Sequence, residues 1–224
     1  MKTDTLIQSL AAKATPVKPL PHAKRRHFVW LTLSLLFVSF GAFLIGLRVD
    51  LSSSLRNPTF LLQIGATLLI VIAATGLAFS SSIPNAQTKR KSLIALLTIG
   101  FGFSIFLVPV FLGHSDQLGL GSKCLLNVVL LSLLPVIMIS TMVYRSFPLQ
   151  RKQTAYFAFL GAAAVGSFST RLICPQDGAL HFLVWHLLPV FGFAALGCAA
   201  GNWWDRHSQI PPTENQSADQ FTFR

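Results

Sequence analysis

Six apolar stretches of roughly twenty residues, joined by short polar loops, take up most of this 224-residue chain. A bilayer's hydrocarbon core takes about 20 helical residues to cross. Backbone groups in lipid have no water to bond to, so a spanning segment must satisfy its own hydrogen bonds as a helix. The expected fold is therefore an all-α integral membrane protein, a bundle of six transmembrane helices. The spans are predicted at 28–47, 59–79, 92–113, 124–144, 154–173 and 180–201. Apolar residues make up 52 % of the chain and charged residues 11 %, and most charges fall between the spans. The soluble remainder is too small to bury a core of its own. Three segments are expected: an arm at 1–26, a membrane domain at 27–204 and a polar tail at 205–224. The first apolar run has no small-residue cleavage site after it, and it is expected to remain as the first helix.

The net charge of +11 raises the question of nucleic acid, but its distribution answers it. Fourteen of the 18 Lys and Arg residues fall in the arm, the loops after spans two and four, and the tail. The other face carries only Arg48, Arg56, Lys123 and Arg171. By the positive-inside rule both termini face the cytoplasm, and the charge orients the protein without implying nucleic-acid binding. Trp30, Tyr144, Tyr156, Trp203 and Trp204 lie at the same ends, where an aromatic belt would anchor them.

Within the spans, Gly197 and Gly201 form a small-residue pair, and the segment from Gly161 to Gly166 offers a smooth face for close helix approach. Pro109, Pro135 and Pro189 are predicted kink points. Ionisable residues inside the spans are limited to His186 and, near the ends, Arg171 and His181. His186 and Arg171 are expected to satisfy local bonds or snorkel rather than carry chemistry.

The arm begins with Thr3 and Asp4, both good helix-capping residues. Leu6, Ile7, Leu10, Ala11 and Ala14 then recur at helical spacing as one apolar stripe. Pro16, Pro19 and Pro21 stop this helix and extend the chain toward the membrane. So short a helix is marginal alone in water, and its stripe needs a surface. The membrane, the protein's own cytoplasmic loops and a soluble partner with a helix-binding groove are the candidates. A narrow stripe without aromatics and with only Lys13 beside it is a poor membrane anchor.

Cys124 opens span four and Cys174 closes span five, so the topology places both at the periplasmic surface. Cys198, within span six, reads as a small packing residue. His114, Asp116, Asp177 and His181 surround the outer pair in sequence. Three readings stay open: a structural disulfide, a reversible dithiol, or a metal site drawn from His114, Cys124, Cys174 and His181. The spacing carries no metal signature, and no cofactor is implied.

The order of short motifs resembles a known family. Lys2-Thr3-Asp4, Leu6-Ile7 and Leu10-Ala11 precede a Pro-rich linker and the spans. Asp50-Leu51 and Asn57-Pro58-Thr59-Phe60 follow in the first outer loop. Cys124-Leu125-Leu126 opens span four, and Cys174-Pro175-Gln176-Asp177 leads to His181-Phe182-Leu183-Val184-Trp185. Together these are similar to the NrsF-type membrane anti-sigma factors, bacterial inner-membrane proteins. The resemblance implies an arm that sequesters an extracytoplasmic-function sigma factor and releases it on a periplasmic signal. Asp4, Leu6, Ile7 and Leu10 would face the sigma factor, and Cys124 and Cys174 would lie on the signal side.

Two other classes remain. A small transporter or channel is disfavoured by the scarcity of intramembrane charge. A membrane thiol-disulfide oxidoreductase ordinarily carries a vicinal cysteine pair, which is missing here. The chain has no nucleotide loop, metalloprotease helix or nucleophile elbow, so catalysis is not expected. The glycine faces leave open whether packing is within one chain or between two.

Overall fold

The computed structural model describes residues 3–12, 20–82, 96–101, 104, 121–146 and 148–207. Among these the chain is helical, with no strand. Helix α1 is Thr3–Ala12, α2 Ala23–Ile45, α3 the single turn Leu51–Ser54, α4 Pro58–Ser81, α5 Ser122–Tyr144 and α6 Arg151–Ile173. Helix α7 runs Ala179–His207. Five of them (α2, α4, α5, α6 and α7) are long and apolar enough to cross a membrane. The predicted third span lies largely outside the described residues, of which 96–101 is helical. Pro109, the Pro-rich linker at 16–19, His114, Asp116 and the tail from 208 onward also fall outside them.

Local chemistry sets the helix ends. Asn57 caps α4, its side chain accepting the Thr59 N–H at 3.0 Å, and Pro58 fills the first helical position, where no N–H is needed. Helix α2 stops at Gly46, whose φ of 107° suits glycine and ends the helical path. Helix α6 stops at Cys174, which is extended ahead of Pro175.

Large apolar side chains face outward, and polar ones lie buried between the helices. Phe28, Leu36, Phe40, Phe43, Leu44, Leu62, Ile137 and Leu196 are exposed, whereas Gln63, Thr67, Thr75, Ser132, Ser167, Ser169 and Thr170 are buried. Large exposed apolar faces of this kind call for lipid rather than water. Inside, many hydroxyls find backbone acceptors, whereas those of Ser34, Ser140 and Ser167 have no hydrogen-bond partner. Thr67, Thr75, Ser132 and Thr170 each donate to the carbonyl four residues back, and Ser169 donates across helices to the Val38 carbonyl at 2.7 Å.

Helix α6 is the hub. Of its most apolar stretch 72 % is buried, against 22 % for α2. It packs on α4, α5 and α7. Its run of Ala, Gly and Ser lets the neighbouring backbones come close. A Cβ on Gly201 of α7 would lie 2.6 Å from Lys152 Cα, and one on Gly197 2.6 Å from the Ala155 carbonyl oxygen. The glycine pair thus packs within one chain.

Two expectations change. Trp30 is not part of an interfacial belt: it is fully buried and donates its indole N–H to the Pro135 carbonyl at 3.1 Å. Arg26, assigned to the arm, lies inside α2 and is buried. It donates to the Met142 carbonyl, Ser146 Oγ and Ser82 Oγ at 3.1, 2.7 and 3.0 Å, pinning α2 to the ends of α4 and α5. Of the expected belt, Tyr144 stacks on Trp204 with centroids 4.9 Å apart, Trp203 is 65 % exposed, and Tyr156 meets Phe157 edge-on.

Candidate functional site

At the end of the bundle opposite Arg26, two connected groups of polar side chains join four helices. The first is an arginine cluster. Arg48 follows α2, and its backbone N–H donates to the Leu172 carbonyl at 3.1 Å, holding the loop against α6. Its guanidinium forms a fork with each of two carboxylates. It reaches Asp50 at 2.8 and 2.7 Å and Asp177 at 2.9 and 3.1 Å. Arg171, buried near the end of α6, donates to Gln63 Oε1 at 3.1 and 2.7 Å, to the Gln176 carbonyl at 2.6 Å and to Asp177 at 2.6 Å. Both guanidinium groups also lie over the Phe60 ring, 5.3 and 4.9 Å from its centroid.

The charges answer one another. The hydrogen bond to Asp50, then that to Asp177, raises the Arg48 pKa further. The Arg48 hydrogen bond holds Asp50 down at about 2. Burial pushes the Asp177 carboxyl up, but the hydrogen bond from Arg48 and the nearby charge of Arg171 outweigh it, leaving the pKa lowered. Two buried cations are thus neutralised by two half-exposed carboxylates.

The second group holds the thiols. Cys124 sits near the start of α5 and Cys174 just past α6, its N–H donating to the Thr170 carbonyl at 2.8 Å. Their sulfurs are 3.2 Å apart, and both cysteines are free. Cys174 Sγ lies 3.5 Å from His181 Nε2. His186 completes the cluster: one ligand atom from each of Cys124, Cys174, His181 and His186 falls within 4.8 Å of the others. Cys174, His181 and His186 are buried, and Cys124 is half-buried.

A break in helix geometry brings the two histidines together. Residues five apart on an α-helix point about 140° away from each other. Residues Leu183–Leu187 instead form a π-turn, closed by the Leu188 N–H donating to the Leu183 carbonyl. The ring centroids of His181 and His186 are thereby 5.7 Å apart, and His186 stacks on Phe182 at 4.8 Å. Pro189 accounts for the break. It has no N–H to offer the Trp185 carbonyl and its ring crowds that oxygen, so the preceding turn widens.

Of the predicted metal set, Cys124, Cys174 and His181 meet, while His114 lies outside the described residues. His186 was expected only to make local bonds, yet neither of its ring nitrogens has a hydrogen-bond partner. Arg48 and Gln63 carried no predicted role; Pro189 eight residues after His181 was the available hint to the π-turn. Cys198, expected to be buried packing, is only half-buried. On α1, Asp4 is exposed and Ile7 is 58 % exposed; Leu6 and Leu10 share the helix.

Residues 10–207 match the family model of negative regulators of sigma F, NrsF. The chain belongs to this family. The matched residues take in every described membrane-length helix together with Cys124 and Cys174. No curated protein and no solved structure matches the chain.

Proposed function

We propose that this NrsF-family chain is a membrane anti-sigma factor, a regulator rather than a catalyst. Its arm would sequester an extracytoplasmic-function sigma factor, and Cys124 and Cys174 would receive the releasing signal. The thiol pair carries this reading, because its sulfurs sit 3.2 Å apart where the ends of α5 and α6 meet. Any change in that pair bears on two helices that run the length of the bundle. At the other end one of them, α5, meets the start of α2 through the Arg26 bonds to Met142 and to Ser146 just past its last turn. The arm attaches to that helix. A shift at the thiols therefore has a contiguous route to the partner-binding segment.

On this reading both termini face the cytoplasm of a bacterium, in the inner membrane, as the asymmetry of basic residues suggests. Helix α1 offers Ile7 to solvent, with Asp4 at its first turn. A short amphipathic helix ahead of a Pro-rich linker sequence suits a groove on a soluble partner.

The test is a pull-down from native membranes in mild detergent, comparing the full chain with one lacking residues 1–14. The expected result is a sigma factor recovered only with the intact arm. Recovery with neither form removes the reading, and transport and thiol-exchange assays would then take its place.

A further inference from the structure

We propose that Cys124, Cys174, His181 and His186 form a tetrahedral site for a borderline-soft divalent cation of the Zn2+ class. The inference deepens the reading of the two cysteines as the signal-receiving thiols, by giving them a resident ligand.

Three independent features point to the site. The first is the donor set. Two thiolates and two imidazoles are a preferred ligand set for structural zinc. With Zn–S bonds near 2.3 Å and Zn–N bonds near 2.0 Å, a tetrahedral site spaces its donor atoms about 3.3–3.8 Å apart. Here the two sulfurs are 3.2 Å apart, Cys174 Sγ and His181 Nε2 are 3.5 Å apart, and all four donors fall within 4.8 Å. Small side-chain rotations reach the required spacing.

The second feature is an unanswered polar group. His186 is 0 % exposed, and neither Nδ1 nor Nε2 has a hydrogen-bond partner; His181 Nδ1 is also without one. Burying an imidazole with both nitrogens unpaired costs on the order of several kcal/mol. A metal ion at the cluster gives one of those nitrogens a bond.

The third is the backbone. The π-turn at Leu183–Leu187 departs from regular helix, and its effect is to set His181 and His186 on one side of α7 facing the cysteines. Turns of this kind recur at functional sites.

Charge suits the location. A divalent cation displaces the two thiol protons to solvent, and M2+ with two thiolates and two neutral imidazoles is neutral overall. A neutral complex is what a membrane interior tolerates. Arg171, which faces the same end, is already matched by Asp177 at 2.6 Å. The bound ion would join the starts of α5 and α7 to the end of α6, so that losing it frees three helix ends at once.

The test uses the full-length protein, purified in mild detergent under reducing, oxygen-free conditions and loaded with Zn2+. Zinc is counted after dialysis by mass spectrometry, and Co2+ loaded in its place reports geometry by absorption. The expected result is one Zn2+ per chain, with the Co2+ protein showing tetrahedral bands and thiolate charge transfer. His181→Gln and His186→Gln should each weaken retention by at least about tenfold. X-ray absorption of the Zn2+-loaded wild-type protein needs no variant and should show two sulfur and two imidazole neighbours. The proposal is overturned if folded, reduced protein retains no zinc, if the double His181→Gln/His186→Gln variant retains it equally, or if the neighbours are all oxygen, an adventitious ion only. Sigma-factor capture on the same preparation separates the two claims. Zinc without capture sinks the anti-sigma reading alone, and capture without zinc sinks the metal site alone.

Discussion

Arg171 donates to Asp177 at 2.6 Å, tying the last turn of α6 to the loop that leads into α7. The same carboxylate takes the fork of Arg48, so one half-exposed aspartate bridges two buried guanidinium groups from different parts of the chain, with Asp50 supplying the second negative charge. Buried cations without their counter-charge are costly, far more than an exposed pair is worth. This junction ties down the loop between Cys174 and His181, whose neighbours Ile173 and Phe182 pack in the core.

Acid should loosen this end of the protein first. Asp50 is held at about 2 by the Arg48 hydrogen bond, and Asp177 is also lowered, against an ordinary carboxyl value of 3.8. A folded-state pKa below the unfolded value means that stabilisation is complete above that ordinary value. It is then lost as pH falls through the folded value. The expected result is a Tm in detergent that is flat above about pH 5 and falls below about pH 4. Asp177→Asn should lower the pH 7 Tm, at a cost of about 1–3 kcal/mol once solvent screening of the half-exposed carboxylate is allowed for. An unchanged Tm in that variant would show that the arginines find other partners.

The glycine seam between α6 and α7 gives a packing prediction. Any side chain at Gly201 meets the Lys152 backbone, which cannot rotate away. Gly201→Val should therefore cost about 1–3 kcal/mol through forced separation of the two helices. Gly65, with nothing near its missing Cβ, is the control, and Gly65→Ala should leave the Tm unchanged or raise it slightly. Thermal unfolding of the two variants side by side checks this.

Much of this architecture was legible from hydropathy alone, because lipid demands long apolar helices and leaves few alternatives. The predicted spans 59–79, 124–144 and 154–173 fall inside α4, α5 and α6. Arg26 and Trp30 were not legible. A basic residue and a tryptophan next to a helix start read as interfacial, and only the approach of Met142 and Pro135 from another helix buries them. The meeting of Cys124 with Cys174 was foreshadowed, since both end spans at the same face. His186 was missed because α-helical periodicity turns it away from His181, and a proline-induced π-turn is a local exception to that periodicity.

Thiol chemistry should single out one pair from the three cysteines. Treating the full-length, metal-stripped protein with diamide should leave one maleimide-reactive thiol in place of three, because Cys124 and Cys174 are close enough to bond while Cys198 stands alone on α7. Cys198→Ser should then go from two reactive thiols to none. Cys124→Ser and Cys174→Ser should each keep both of theirs. Mass-tagged maleimide on denaturing gels reads the count directly. Loss of thiols in the single Cys124→Ser variant would mean that a different pairing is available.

The arm should be separable from the bundle. Ile7 is 58 % exposed, so replacing it leaves the core untouched, and Ile7→Lys should not move the Tm of the purified protein. Truncating or charging a central apolar anchor of a helix-in-groove contact typically costs 2 kcal/mol or more, about thirtyfold in affinity. Ile7→Lys and Leu10→Lys should each weaken sigma-factor capture by about that factor or more, whereas Gln8→Lys, on the opposite side of the stripe, should change it little. Quantitative pull-down with the three variants, normalised to membrane expression, provides the measurement. Equal loss from Gln8→Lys would mean that charge on the arm, and not its apolar stripe, governs the contact. Equal capture by all three would place the sigma-binding surface elsewhere in the chain.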